Sequence, residues 1–109
     1  MARRSIKFEV GSGNVFKDLG LKNPEERLAK AQLASQIMFI LEGRKLTQTA
    51  AANLLGIAQP KVSNIYRGNL DEFSIERLMR LLTRLHRDVR IVVESKTQRR
   101  RGRMIVEAA

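Results

Sequence analysis

The chain has 109 residues, and 21 Lys and Arg against 11 Asp and Glu give it a formal net charge of +10 at pH 7. That length suits one domain, the hydrophobic fraction of 43% supports a small core, and the absence of cysteine excludes disulfides and thiolate zinc sites. The charge predicts a polyanionic partner. With no signal-like start and no apolar run of about 20 residues, we predict a cytoplasmic protein without a membrane segment.

Residues 1–23 predict an N-terminal arm with one short strand. Residues 6–10 alternate apolar and charged side chains, which is the period of a strand, and Gly-Ser-Gly-Asn at 11–14 ends it. These glycines lack the third glycine of a dinucleotide-binding loop and the lysine-serine pair of a Walker loop. We therefore interpret them as a turn.

The best-marked helix start lies at Pro24. Asn23 offers an N-cap side chain, and two glutamates follow in the first turn, where the backbone dipole is positive. The predicted helix runs to Glu42, with Gly43 as its C-cap. Its apolar stripe at helical spacing consists of Leu33, Ala34, Ile37, Met38, Ile40 and Leu41.

Three shorter helices are predicted next, separated by tight turns. Thr47 is the N-cap of a helix that ends before Gly56, a residue expected to be left-handed. Another helix covers 59–66 and stops at Gly68, and Ser74 is the N-cap of the last one. The apolar face of that last helix consists of Ile75, Leu78, Met79, Leu82 and Leu85.

Residues 88–109 predict strands around a basic loop. Val89 to Val93 and Met104 to Glu107 are the candidate strands. They could pair as a hairpin, or the first could pair with the same strand of a second chain and serve as a dimerisation element. The loop between them either solubilises the chain or grips phosphates. Its basic residues are Lys96, Arg99, Arg100, Arg101 and Arg103.

The most informative segment, residues 47–67, has the pattern of a helix-turn-helix. Ala51 and Ala52 let two helices pack closely, Gly56 permits the turn, and Val62 and Ile65 face inward. No acid occurs from 43 to 70, as a surface against phosphates requires. The outer side chains suit hydrogen bonds to base edges in a DNA major groove, and they are Gln59, Lys61, Ser63, Asn64 and Arg67.

Three motifs resemble the Cro/C1-type (XRE) helix-turn-helix family over roughly residues 33–86: Leu-Thr-Gln at 46–48, Leu-Leu-Gly-Ile at 54–57 and Gln-Pro-Lys-Val-Ser at 59–63. The segments at 13–21 and 73–78 more loosely resemble HigA-type antitoxin regulators. The resemblance implies a mainly α, lambda-repressor-like bundle of four to five helices at 24–87, with short β strands at the termini.

The resemblance also implies the function of a dimeric repressor that binds double-stranded DNA sequence-specifically, is not an enzyme and needs no cofactor or metal. Gln48 would bind a phosphate, Arg67 would hold the backbone, and the other outer side chains would approach bases. The full set of expected DNA-binding residues is Thr47, Gln48, Gln59, Pro60, Lys61, Ser63, Asn64 and Arg67.

The expected partners are an inverted-repeat operator and a second copy of the chain, because one helix-turn-helix reads only a few base pairs. The antitoxin resemblance adds a RelE-like toxin. The alternative is a basic RNA-binding or nucleoid-coating protein, which would have no discrete operator.

Two positions depart from the family pattern. Ala58 stands where a capping serine or threonine is common, which weakens the helix start by about 1 kcal/mol, and Pro60 partly offsets the loss. Tyr66 stands where a glutamate is common, so no acid is present there to contact an arginine.

Overall fold

A computed structural model describes residues 6–7, 16, 19–95 and 101–108 of the chain. Within these residues the fold has four helices, and a two-stranded antiparallel sheet joins the two termini. The predicted mainly α helix-turn-helix bundle is confirmed. The elements are β1 (Ile6–Lys7), α1 (Pro24–Gly43), α2 (Gln48–Leu55), α3 (Gln59–Tyr66), α4 (Ile75–Arg84) and β2 (Glu107–Ala108).

One core unites all four helices. The long helix α1 packs mainly against α4, and α2 packs against α3. Burying one large aliphatic side chain contributes about 1.5–3 kcal/mol, so this shared core fixes the relation between α2 and α3. Its most deeply buried members are Ile37, Leu41, Leu55, Val62, Ile65, Leu78 and Leu85.

The ends of α2 and α4 follow the predicted signals. The Thr47 hydroxyl accepts a hydrogen bond from the Ala50 backbone N–H at 3.1 Å, and the Ser74 hydroxyl accepts one from the Arg77 N–H at 3.0 Å. Gly56 ends α2 with φ 70°, a left-handed conformation that glycine adopts at little cost. The local hydrogen bonds therefore form where the sequence predicts them.

The ends of α1 differ from the prediction. Asn23 has φ 51°, and its side chain makes no capping hydrogen bond, so the predicted cap interaction is wrong. The Asn23 backbone carbonyl instead accepts from the Arg27 N–H at 2.9 Å. Gly43 is the last helical residue rather than the C-cap, which is Arg44, because the chain stays in the right-handed region there.

The C-terminal strands also differ from the prediction. Residues 89–95 form no strand, and the second strand begins at Glu107 rather than at Met104. Strand β2 pairs with β1, with Ile6 opposite Ala108, so the predicted C-terminal hairpin is wrong. The predicted strand residues 8–10, the turn at 11–14 and the loop residues 96–100 lie outside the described residues.

The return path of the chain explains this pairing. Val106 packs against the core, and the Met104 backbone N–H donates a hydrogen bond to the Glu25 carboxylate at the start of α1. These contacts hold the C-terminal segment against the core and the start of α1. In the described part of the chain, no helix combines the length and the apolar character that a bilayer crossing requires.

Candidate nucleic-acid interface

A side chain of α4, Arg84, contacts the turn between α2 and α3 and stabilises it. Arg84 Nε donates to the Leu54 backbone carbonyl at 3.3 Å, and its guanidinium lies over Gly56. A Cβ at Gly56 would approach Arg84 Nη2 to 3.0 Å, and the positive φ would strain any other residue. Glycine at this position therefore keeps α2 and α3 in their packed arrangement.

An open groove of about 370 Å³ lies between the start of α2 and one face of α3. Gln59, Ser63 and Tyr66 are spaced by four and three positions, which places them on one face of α3. Pro60 and Arg67 are their neighbours along the chain. Five of the predicted binding residues meet at this groove. The residues that line it are Gln48, Gln59, Pro60, Ser63, Tyr66 and Arg67.

Two hydrogen bonds organise the groove and its edge. The Ser63 hydroxyl donates to Gln48 Oε1 at 2.6 Å, which joins the middle of α3 to the first residue of α2. Arg67 Nη2 donates to Asn64 Oδ1 at 2.9 Å, which links a sixth predicted residue to the groove. These side chains are therefore held by one another before any ligand is bound.

The two other predicted residues lie elsewhere. The Thr47 hydroxyl is occupied as the N-cap of α2. Lys61 is half-buried, and its Nζ lies 5.8 Å from the centroid of the buried Phe73 ring, within the range of a cation–π contact. Neither residue lines the groove, because each has a structural partner inside the domain.

Tyr66 is the residue of the groove that sequence reasoning missed. Tyr66 departs from the family pattern. It lies seven residues after Gln59 and three after Ser63, so it shares their face of α3. Desolvation by burial, and secondarily the negative charge of Glu42, raise the pKa of the Tyr66 hydroxyl above 10.0. Helical spacing alone could have identified it.

Glu42 is an acidic neighbour of α3, although residues 43–70 contain no acid. No carboxylate occurs between 43 and 70 in the sequence, but the end of α1 brings this one close enough to act on Tyr66. The surface around α3 is therefore basic without being wholly free of acidic neighbours.

A second, larger depression of about 510 Å³ adjoins the groove and shares Tyr66 and Arg67 with it. It lies between α1 and the segment after α3, and charges of both signs surround it, including Arg27 and Asp71, which form an ion pair at 3.4 Å. Mixed charge distinguishes it from the groove, which no carboxylate of the described residues lines.

At the start of α3, beside the groove, the Lys61 N–H donates to the Ala58 carbonyl at 2.9 Å, and Pro60 has no N–H. Ala58 is the N-cap of α3 in an extended conformation, with φ −69° and ψ 145°, and supplies no side-chain cap. Proline occupies the first turn, as predicted. Among the described residues, no group of three or more His, Asp or Glu side chains is placed to hold a metal ion. The arrangement presents amide, hydroxyl and guanidinium groups, which suit hydrogen bonding to a polyanion.

Comparisons with known proteins agree with the helix-turn-helix fold. A family model for a helix-turn-helix domain matches residues 15–94. A solved structure that is provisionally named an XRE family transcriptional regulator superposes with a TM-score of 0.73 and 45% sequence identity, and the match covers 78% of this chain and 97% of that chain. No curated protein matches the chain.

Proposed function

We propose that this chain, which belongs to the XRE family of helix-turn-helix transcriptional regulators, represses transcription as a homodimer bound to an inverted-repeat DNA operator. Membership of the family makes the chain a DNA-binding regulator of transcription. The repressor role, the dimer and the residues that contact DNA go beyond that membership.

The observation that carries the proposal is the groove between α2 and α3. It gathers two glutamines, a serine, a tyrosine and an arginine from two helices that share one core, and in the part of the chain that the structure describes no carboxylate lines it. Side chains held in this way lose little conformational freedom when they meet DNA. A phosphate contacts Gln48 and Arg67 in the groove, while α3 enters the major groove with Gln59 and Asn64 toward the bases.

Each side chain then has a distinct role. Gln48 and Arg67 donate to phosphates and set the position of the domain, whereas Gln59 and Asn64 read base edges. Lys61 reaches a base or phosphate by leaving the Phe73 ring, and Thr47 and Pro60 form the edge of the contact. The DNA-binding unit comprises residues 24–87, with 1–23 and 88–109 as flanking arms.

The first experiment selects ligands from a random duplex library at about 150 mM salt, where sequence-independent binding is weak. Enrichment of a short inverted repeat is the expected result. Retention of duplexes without any shared motif would contradict the proposal and favour a nucleoid-coating or RNA-binding protein.

Two pairs of variants then separate base reading from phosphate binding. Gln59→Ala and Asn64→Ala should lose about 1–3 kcal/mol on the operator and little on a scrambled duplex. Gln48→Ala and Arg67→Ala should weaken binding to both duplexes, and Arg67→Ala should also reduce the salt slope by about one. Asn53→Ala and Arg80→Ala, exposed residues of α2 and α4, are the matched controls. Equal losses of Asn64→Ala on both duplexes would refute its base-reading role.

The homodimer forms through the segment at 91–93. Its three side chains are β-branched, and 74%, 65% and 94% of their surfaces are exposed, although the sequence has strand character. Pairing with the same segment of a second chain would bury them. Val93→Lys should give monomers in light scattering, and Leu19→Lys, which changes another exposed apolar residue, should not.

The antitoxin role rests on the resemblance of 13–21 and 73–78 to HigA-type regulators. In that role the chain binds a RelE-like toxin encoded beside it and represses their shared promoter. Co-expression with the neighbouring reading frame should relieve growth arrest and co-purify both proteins. A neighbouring product that is neither toxic nor retained by this chain would rule the role out.

A further inference from the structure

The hydrogen bond from Ser63 to Gln48 gives the two side chains different roles in the groove, because serine is the donor and the glutamine amide is the acceptor. At 2.6 Å it is short for a hydroxyl donor and a neutral amide oxygen, and both residues are half-buried. It is also a contact between helices, since Gln48 is the first residue of α2 and Ser63 lies in the middle of α3.

The bond uses the only proton that Ser63 can donate. While it persists, the serine hydroxyl has no proton left to donate to guanine or thymine oxygens. A contribution of Ser63 to base reading as a donor would therefore require this contact to break.

The same bond fixes the orientation of the Gln48 amide. The amide is planar, so an oxygen held toward Ser63 turns the two N–H donors of Nε2 in the opposite direction. Without the serine proton the amide could also bind in its flipped orientation, which would present its oxygen to a negatively charged phosphate.

We propose that Ser63 is a positioning residue that sets the Gln48 amide so that Nε2 donates to a DNA phosphate, and that it does not read a base. The inference rests on the proposed DNA-binding function and refines the role of one residue in it. Ser63 then contributes to affinity for every duplex equally and contributes nothing to sequence preference.

The test is a double-mutant cycle of Ser63→Ala, Gln48→Ala and the combined variant, measured on the selected operator and on a scrambled duplex at equal salt. Ser63→Ala should weaken binding about 3- to 10-fold on both duplexes, which is the range for one neutral hydrogen bond. In the Gln48→Ala background the same change should have less than about a 2-fold effect. Ser63→Thr, which keeps the hydroxyl, should restore most of the affinity.

The matched control is Ser35→Ala, because Ser35 is exposed on α1 and does not line the groove. Circular dichroism of each variant confirms that the fold is unchanged. A Ser63→Ala protein with altered preference at one operator position, or with the same loss whether or not Gln48 is present, would overturn the inference. Because the cycle can be measured on any duplex, it separates failure of this inference from failure to find an operator.

Discussion

Gln32 is a polar side chain of α1 that is buried without a full set of hydrogen bonds. Only 5% of its surface is exposed, and among the described residues its Nε2 has no hydrogen-bond partner. A buried donor without a partner costs about 1–3 kcal/mol. We expect Gln32→Met, which keeps the length of the side chain, to raise the free energy of unfolding by about 1 kcal/mol in urea denaturation.

The control for this change is Gln36→Met on the same helix, where the side chain is partly exposed and the effect should stay within about 0.5 kcal/mol. A loss of stability in Gln32→Met would show that the Gln32 amide has a partner in solution.

The ionisation of the Tyr66 hydroxyl in the groove can be observed directly by absorbance, because the chain has one tyrosine and no tryptophan. Burial first, and Glu42 second, raise the pKa of its hydroxyl above 10.0. The ultraviolet absorbance of tyrosinate should therefore have its midpoint above pH 10.0 in the folded protein. Glu42→Gln should lower that midpoint, since it removes the secondary cause.

The raised pKa also gives the direction of a pH effect on stability. Between 10.0 and the folded value, the folded chain retains a proton that the unfolded chain has lost. The contribution of Tyr66 is therefore complete below pH 10.0 and declines as the pH rises through this window. A midpoint at or below 10.0 in the native protein would show that Tyr66 is not desolvated in the groove.

At the scale of the helix, α3 lacks a side-chain cap while α2 and α4 have one. Ala58 already has the extended conformation of an N-cap, so a serine there can accept a hydrogen bond from the first turn without a backbone change. Ala58→Ser should raise the free energy of unfolding by about 0.5–2 kcal/mol in urea denaturation. Ala58→Val, which offers no capping oxygen and ranks with alanine at this position, is the control and should not stabilise the chain.

The helices were predictable because their signals are local. Thr47, Ser74 and Gly56 each act on residues within four positions, so reading the sequence in order identifies them. The conformation of Asn23, at the start of α1, was not predictable in the same way. Its left-handed backbone depends on how the preceding chain meets α1, which no local pattern specifies.

At the scale of the whole molecule, long-range contacts explain what sequence reasoning missed. The pairing of β1 with β2 joins opposite ends of the chain, whereas the strand pattern at 89–93 predicted a mate either at 104–107 or in a second chain. Helical spacing brings Gln59, Ser63 and Arg67 together in the groove. The contact of Lys61 with the Phe73 ring was not predictable from the motif, because Phe73 lies after α3 and outside residues 47–67.

The net charge of +10 predicts opposite responses of folding and DNA binding to salt. Like charges repel more strongly in the compact chain than in the unfolded one, and salt screens this repulsion over about 10 Å at 0.1 M. We therefore expect the melting temperature to rise between about 50 and 500 mM NaCl. Over the same range DNA affinity should fall steeply, because each phosphate contact releases a counterion.

A variant with lower charge separates screening from other effects of salt. Arg87→Gln combined with Arg90→Gln removes two exposed charges outside the four helices, so it should reduce self-repulsion while leaving the core and the groove intact. Its melting temperature should depend less on NaCl than that of the parent chain. If both proteins respond to NaCl equally, or if the parent melts at a lower temperature as salt rises, self-repulsion is not what limits the stability of this fold. The basic charge would then act on DNA binding without a measurable cost in folding.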